Sequence, residues 1–257
     1  MGVEYSTVTE LPGDRITHEQ LARMFHRYRF AANFCEGKEV LEVACGAGQG
    51  LGYLARRATR VVGGDCTEKL MMSAREYYKD RVEIHPLDAH QLPFKDKSFD
   101  VLILYEALYY LAKPEIFFQE ANRVLREGGV LLIATVNKDW PEFNPSPLST
   151  YYFSPPELGH LLQSNGFEVE FYGAFSAVPK TVKEKIVATI RKCAIAFHLI
   201  PKTMKGKEFL KKIFYGKLLL LREEIEDGMC EYVPPVPIPS DIPNFEYKVI
   251  YAVARGT

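Results

Sequence analysis

The sequence predicts an α/β protein built on a doubly wound, mainly parallel sheet with helices on both faces. Short apolar runs alternate with stretches of helical spacing along most of the 257 residues. The first run, 39–44, breaks into a glycine-rich turn, 46-GAGQG-50, before a helical stretch. Strands that alternate with helices of about 10–15 residues imply repeated βαβ units, because a parallel strand needs a crossover to return.

Each element has its own signal. Thr17 and Gln20 form a capping box, and Leu21, Phe25, Tyr28 and Ala32 follow at helical spacing, so a helix is expected over about 17–34. After the glycine turn the helical stretch runs to about 58, and the apolar run 60–65 is the second strand. A helix over 67–78 and a strand near 82–85 come next, then a strand over 100–105 and a helix over 114–126. Pro114 suits a first helical turn, and Gly128 and Gly129 suit the exit. A strand is expected over 130–136, a proline-started and boxed helix from 154, and strands over 167–172 and 247–254.

One segment breaks this rhythm. Residues 180–217 hold eleven Lys or Arg and two Glu, a net +9 that leaves −10 on the rest of a chain whose total is −1. Val182, Ile186, Ile190, Ala194 and Phe197 recur in it at helical spacing, and 234-PPVPIPSDIP-243 follows, which excludes regular helix or a central strand. The chain thus divides into an N-terminal helical cap, 1–34, a core of 35–177 and 246–257, and an inserted basic and proline-rich lobe, 178–245, placed on the substrate side or at an oligomer contact.

Composition narrows the function. A net charge of −1 gives no whole-molecule attraction to nucleic acid. No apolar run approaches the roughly 18–20 residues that cross a bilayer, and the start lacks the apolar core of a signal peptide, so a cytoplasmic protein is expected. Five cysteines without C-x-x-C spacing argue against a disulfide scaffold or zinc site. The six histidines show no metal spacing either, and no metal is expected.

A glycine turn between a strand and a helix lies where open α/β sheets bind ligands, outside the carboxyl ends of the strands. A dinucleotide fingerprint would need glycine at 46, 48 and 51, but position 51 is Leu, which counts against a nicotinamide or flavin cofactor. Asp65 ends the second strand nineteen residues after Gly46, where a carboxylate can accept the ribose hydroxyls of a nucleoside or simply face solvent.

The runs 40-VLEVACGAGQG-50, 62-VGGDCTEKLMMSAR-75, 87-LDAHQLPFKDKSFDVLILYEALYYL-111 and 120-EANRVLREGGVLLIATVN-137 resemble, in order and spacing, the signatures of the class I S-adenosylmethionine-dependent methyltransferases. The resemblance covers about 35–175 and implies a seven-stranded sheet with its last strand antiparallel. It implies that Glu42, with backbone at Ala44 and Gly46, holds the methionine ammonium of S-adenosyl-L-methionine, and that Gly48 allows close approach. It gives Asp65 the ribose hydroxyls, Cys66 a place near the adenine, and Asp88 and Ala89 the adenine edge. Tyr105 would meet the methionine part, with Tyr28 and Arg29 closing over its carboxylate. Glu42 stands where Asp is common in the family, and Ala44 where Gly is.

By the same resemblance the reaction is in-line methyl transfer to an oxygen or nitrogen atom of a small molecule or glycan precursor. Glu106, Tyr109 and Tyr110 follow the fourth strand, Asn137, Asp139 and Trp140 the fifth, and the 137–153 loop is read as a lid. His26 is the base candidate among the histidines, with Glu106 and Tyr109 as further catalytic candidates. The basic lobe is open to three readings: a phosphate-bearing substrate, an anionic membrane, or a solvated face, the last preferred. The rival functions are a nicotinamide oxidoreductase on the same fold and a membrane-associated lipid methyltransferase. No nucleic-acid partner is expected, and oligomeric state is left open.

Overall fold

The computed structural model describes residues 5–146, 148–178, 189–190 and 218–256. Strand β1 (Arg15–Ile16) leads into helix α1 (His18–Cys35), whose capping box forms as the sequence predicts: the Gln20 N–H donates to Thr17 Oγ1 at 3.1 Å and the Thr17 N–H to Gln20 Oε1 at 3.0 Å. The βαβ series follows: β2 (Glu39–Val43), α2 (Leu51–Ala55), β3 (Arg60–Asp65), α3 (Glu68–Tyr78), β4 (Glu83–Pro86), β5 (Phe99–Tyr105), α4 (Pro114–Val124) and β6 (Leu125–Val136). Helix α5 (Pro155–Ser164) starts on a second capping box, Ser154 with Glu157, and leads to β7 (Phe167–Ser176). Strands β8 (Leu219–Leu220), β9 (Val236–Ile238) and β10 (Tyr247–Gly256) complete the described chain.

The main sheet runs β4-β3-β2-β5-β6-β10-β7-β9. Strands β2 to β6 pair in parallel, and β10 inserts antiparallel between β6 and β7. The seven expected strands are present with the last one antiparallel. The sheet has an eighth member because the proline-rich stretch supplies β9, paired antiparallel to β7 at the outer edge. Pro237 lies in it, and an edge strand tolerates a residue without an N–H. A separate pair, β1 with β8, ties the N-terminus to the segment after the basic stretch.

The period of two along each strand divides the core. On β5, Val101, Ile103 and Tyr105 join the cluster under α1 and α3, while Leu102 and Leu104 join the cluster under α4 and α5. On β2, Val40 faces α1, Leu41 and Val43 face the other side, and Glu42 is therefore carried to the α1 side. Leu221 and Ile225 are buried in the α1-side cluster, so the described part of 178–245 packs on the core rather than standing apart from it. Glu224 pairs there with Arg56 and Arg81, and Tyr53 Oη donates to Asp227 at 2.5 Å. The expected basic helix within 180–217 lies outside the described residues except for 189–190. Among the described residues no helix is long and apolar enough to cross a membrane.

Candidate cofactor and active site

A cavity of about 550 Å³ opens at the carboxyl ends of β2, β3 and β5, where the sheet order reverses between β2 and β5. Its floor is the turn after β2, with Ala44 and Gly46 in the left-handed region at φ 57° and 60°. Glycine adopts that conformation freely, whereas Ala44 holds it at a cost of order 1 kcal/mol. Glu106, at φ 53° just after β5, is a second strained residue on the same wall.

Asp65 is buried at the end of β3 and locks this floor. Its Oδ2 accepts the Gly46 N–H at 3.0 Å and its Oδ1 the Thr67 N–H at 2.8 Å. Each oxygen keeps a lone pair, and both border the cavity through Asp65. Burial pushes its pKa up, against the pull of those N–H groups. Cys66, Asp88 and Ala89 line the same end of the cavity. Asp88 Oδ1 accepts the His90 N–H at 2.8 Å and lies 2.7 Å from His90 Nδ1; the backbone N–H chiefly holds this carboxyl below its usual range.

Glu42 stands behind the wall rather than in it. Tyr28 Oη donates to its Oε1 at 2.5 Å, and its Oε2 is buried without a partner. Burial raises its pKa to about 7, against the pull of Tyr28 and Arg27. A raised carboxyl is protonated in the folded chain while the unfolded chain ionises near 4.5, so stability is full below that pH and is lost as pH rises towards about 7. The full loss is about 3 kcal/mol, at one pKa unit per 1.36 kcal/mol, most of it between pH 5 and 7.5. Urea midpoints at pH 5 and pH 7.5 for wild type and Glu42→Gln check this: the variant is expected to lose the wild-type difference, and an equal pH dependence in both would refute it.

The structure brings together Tyr28, Ala44, Gly46, Asp65, Cys66, Asp88, Ala89, Tyr105, Glu106 and Tyr109 around this cavity. Several expectations are corrected. Arg29 points away from it, donating to Asn33 Oδ1 at 2.9 Å and lying over the Tyr232 ring. At 100° per residue its side chain leaves the face carrying Gln20, Arg23, Met24 and Arg27, all of which line the cavity. Arg27, like Arg23, is a cation on that face. Its Nε is buried without a partner, and its guanidinium is kept charged by Tyr28, Glu106, Glu10 and Glu42 in spite of burial.

His26 is likewise elsewhere. Its ring is buried against Phe175 and Tyr232 with centroids 5.0 and 5.2 Å away, and Nε2 donates to the Glu231 carbonyl at 2.8 Å. Burial lowers its pKa, and it has no route to the cavity as a base. Gly48 does not line the cavity: a Cβ there would meet Leu51 and Tyr78, each at 3.1 Å, so this glycine serves packing between the turn and α3.

None of the described residues of 137–153 lines the cavity. Asn137 is fully buried, and its amide donates to the carbonyls of Asn244 and Tyr247 at 2.6 and 2.8 Å, clipping β6 to the entry of β10. Tyr152 stacks behind Tyr109 at 4.5 Å. The cover is residues 5–10, which periodicity did not mark. Tyr5, Val8, Thr9 and Glu10 line the cavity, Tyr5 lies 5.0 Å from Tyr110, and the Gln49 amide donates to the Glu10 carbonyl at 2.8 Å. Tyr109 Oη donates to Glu106 Oε2 at 3.1 Å, and burial raises the Glu106 pKa against the pull of Arg27 and Arg23. Among the described residues no group of three His, Cys, Asp or Glu side chains is placed to hold a metal.

A cavity at the switch point of such a sheet, floored by a glycine turn and bordered by a buried strand-end aspartate, defines a nucleoside-cofactor protein of the doubly wound class. Comparison with known proteins places it within that class. Residues 41–133 match the sequence model of the methyltransferase domain family. A probable S-adenosylmethionine-dependent methyltransferase of Mycolicibacterium smegmatis is 37% identical over 158 residues, 57% of this chain and 60% of that protein. A fatty-acid O-methyltransferase of the same organism is 38% identical over 113 residues, 42% of this chain and 41% of that one. The crystal structure of the YcgJ protein from Bacillus subtilis shares the fold at 18% identity, with a TM-score of 0.59, covering 93% of this chain and 99% of its own. The first of these matches spans about three fifths of its relative's length. Over residues 41–133 the chain is similar to the methyltransferase domain family, and relatives of it are named as S-adenosylmethionine-dependent methyltransferases, whose cofactor is S-adenosyl-L-methionine. An orphaned buried donor on a lining residue, Arg27 Nε, fits the carboxylate of that cofactor's methionine end, while Glu42 Oε2, also orphaned, lies behind the lining Tyr28.

Proposed function

We propose that this protein transfers the methyl group of S-adenosyl-L-methionine to an oxygen or nitrogen atom of a small-molecule or glycan-precursor acceptor. The observation that carries the reading is that acids at the carboxyl ends of β3, β4 and β5, Asp65, Asp88 and Glu106, line one cavity over a glycine turn. When bound, the cofactor supplies a methyl group activated by a positively charged sulfur. Asp65 accepts the ribose hydroxyls, Asp88 and the Ala89 N–H take the adenine edge, and Cys66 packs nearby. Tyr28 holds Glu42 for the ammonium, with the backbone of Ala44 and Gly46 beside it, and Tyr105 walls the methionine part. Arg27 takes the carboxylate.

Glu106 is the general base. Tyr109 fixes one of its oxygens, and its raised pKa makes it a better proton acceptor than a solvated carboxylate. Glu106 would take the proton that the acceptor gives up as it receives the methyl group. Residues 5–10 exclude water from this step. The fatty-acid O-methyltransferase among the relatives supports an oxygen acceptor of modest size.

Calorimetric titration with S-adenosylhomocysteine is expected to show micromolar binding, with none for NADH. Binding of NADH instead would favour an oxidoreductase. With an acceptor in hand, Glu106→Gln is expected to lower kcat about 100-fold or more with the homocysteine affinity unchanged, the usual contribution of a positioned base. Unchanged turnover would remove Glu106 from catalysis.

A further inference from the structure

Two arginines of α1, Arg23 and Arg27, line the cavity one helical turn apart, and Nε of each is buried without a hydrogen-bond partner. The proposed cofactor has one carboxylate, and Arg27 serves it because its guanidinium lies 5.5 Å from the centre of the Tyr28 ring, which in turn bonds Glu42. Arg23 is left over. Its Nη2 pairs with Glu19 at 2.6 Å, but Glu19 is already paired with Lys248 at 3.0 Å, so two cations share one carboxylate. That double pairing overrides burial and holds the Glu19 pKa at about 2. The remaining anions near the cavity face of α1 are Glu106, assigned to the acceptor's proton, and Glu10, held by the Gln20 amide and facing Arg27. Neither makes a hydrogen bond or ion pair with Arg23.

The Arg23 guanidinium is partly exposed and lies over the Phe175 ring, but its Nε is buried without a hydrogen-bond partner beside a shared carboxylate, and an unmet charged donor of this kind is a site for an external anion. The same cavity is also lined by apolar and aromatic side chains, among them Met24, Val8, Tyr109, Tyr110 and Leu111. We infer that Arg23 is the specificity residue for the acceptor, and that the acceptor is an amphiphile with an anionic group, carboxylate or phosphate, on an apolar body. This rests on the methyltransferase reading, since it is the cofactor that occupies Arg27.

The test uses the full chain saturated with S-adenosylhomocysteine and titrated with octanoate, octyl phosphate and octanol. At least one anion is expected to bind tenfold or more tighter than octanol, and the tighter of the two identifies the source of the charge. In Arg23→Gln the advantage is expected to fall below twofold while S-adenosylhomocysteine binds within twofold of wild type. Arg23→Lys, which keeps the charge without the planar fork, is expected to retain part of the advantage and serves if the glutamine variant does not fold. Octanol binding as tightly as both anions, or an undiminished advantage in a folded Arg23 variant, would overturn the inference. Failure of wild type to bind S-adenosylhomocysteine at the outset would instead overturn the methyltransferase reading.

Discussion

Asp65→Ala is expected to weaken S-adenosylhomocysteine binding by two to four orders of magnitude. The carboxylate now carries two backbone N–H groups and, in the proposed complex, would carry two ribose hydroxyls as well. Each hydrogen bond to a charged group is worth about 1.5–3 kcal/mol, so losing the hydroxyl pair costs about 3–6 kcal/mol. The substitution also frees the Gly46 N–H, which holds the turn at positive φ, so the floor itself relaxes. Asp65→Asn separates the two effects, because its carbonyl keeps one acceptor. It is expected to fall between wild type and alanine in titration calorimetry while melting near the wild-type temperature. Affinity within threefold of wild type in the alanine variant would remove Asp65 from the cofactor site.

Gly50→Ala is expected to destabilise the fold by about 3 kcal/mol or more and to abolish cofactor binding with it. A Cβ at position 50 would lie 2.0 Å from Tyr28 Cε1 and 2.1 Å from Cζ, and a ring packed at 4% exposure has no free direction. Overpacking of this kind costs about 1–3 kcal/mol. Displacing the ring also breaks the hydrogen bond to Glu42 and strands a second buried acceptor, a further 1–3 kcal/mol or so. Chemical denaturation of a double-mutant cycle with Tyr28→Leu is the measurement. If the clash is the cause, the leucine variant costs much less in the alanine background than in wild type. Strict additivity would show that Gly50 acts through something other than Tyr28.

These two positions also show what was legible beforehand. Asp65 was readable because a strand-end acid at fixed distance from a glycine turn has a local signature. The glycine turn was readable as a ligand site, but the job of Gly50 was not, since its partner sits on α1, twenty-two residues earlier. The alternation of strands and helices, the parallel core and the two capping boxes all rest on contacts within a few residues, and they stand as expected. Strand β9 was missed because three residues around a proline carry no periodicity. Arg29, expected near the carboxylate, faces away from the cavity that Arg27 lines, two residues or about 200° of helix rotation apart, which the apolar stripe did not resolve. His26 was misjudged for the reverse reason: its burial depends on Tyr232 and Phe175, which sit in distant parts of the chain. The cover over the cavity was assigned to the proline-bearing loop 137–153, whereas Asn137 commits the start of that loop to β10 and the uncharacteristic residues 5–10 do the covering.

The cover brings a kinetic consequence. It is latched by two side-chain amides on one residue, Gln49 to the Glu10 carbonyl and Gln20 to the Glu10 carboxylate. At about 1 kcal/mol each, the latch leaves the open form populated at a few per cent. Only that fraction admits or releases a nucleoside, so arrival and departure both slow by roughly thirtyfold while the equilibrium affinity keeps whatever contacts the closed form adds. If the protein transfers methyl groups as proposed, the spent cofactor would dwell on it after each transfer, and that dwell time, rather than the chemistry, would pace turnover.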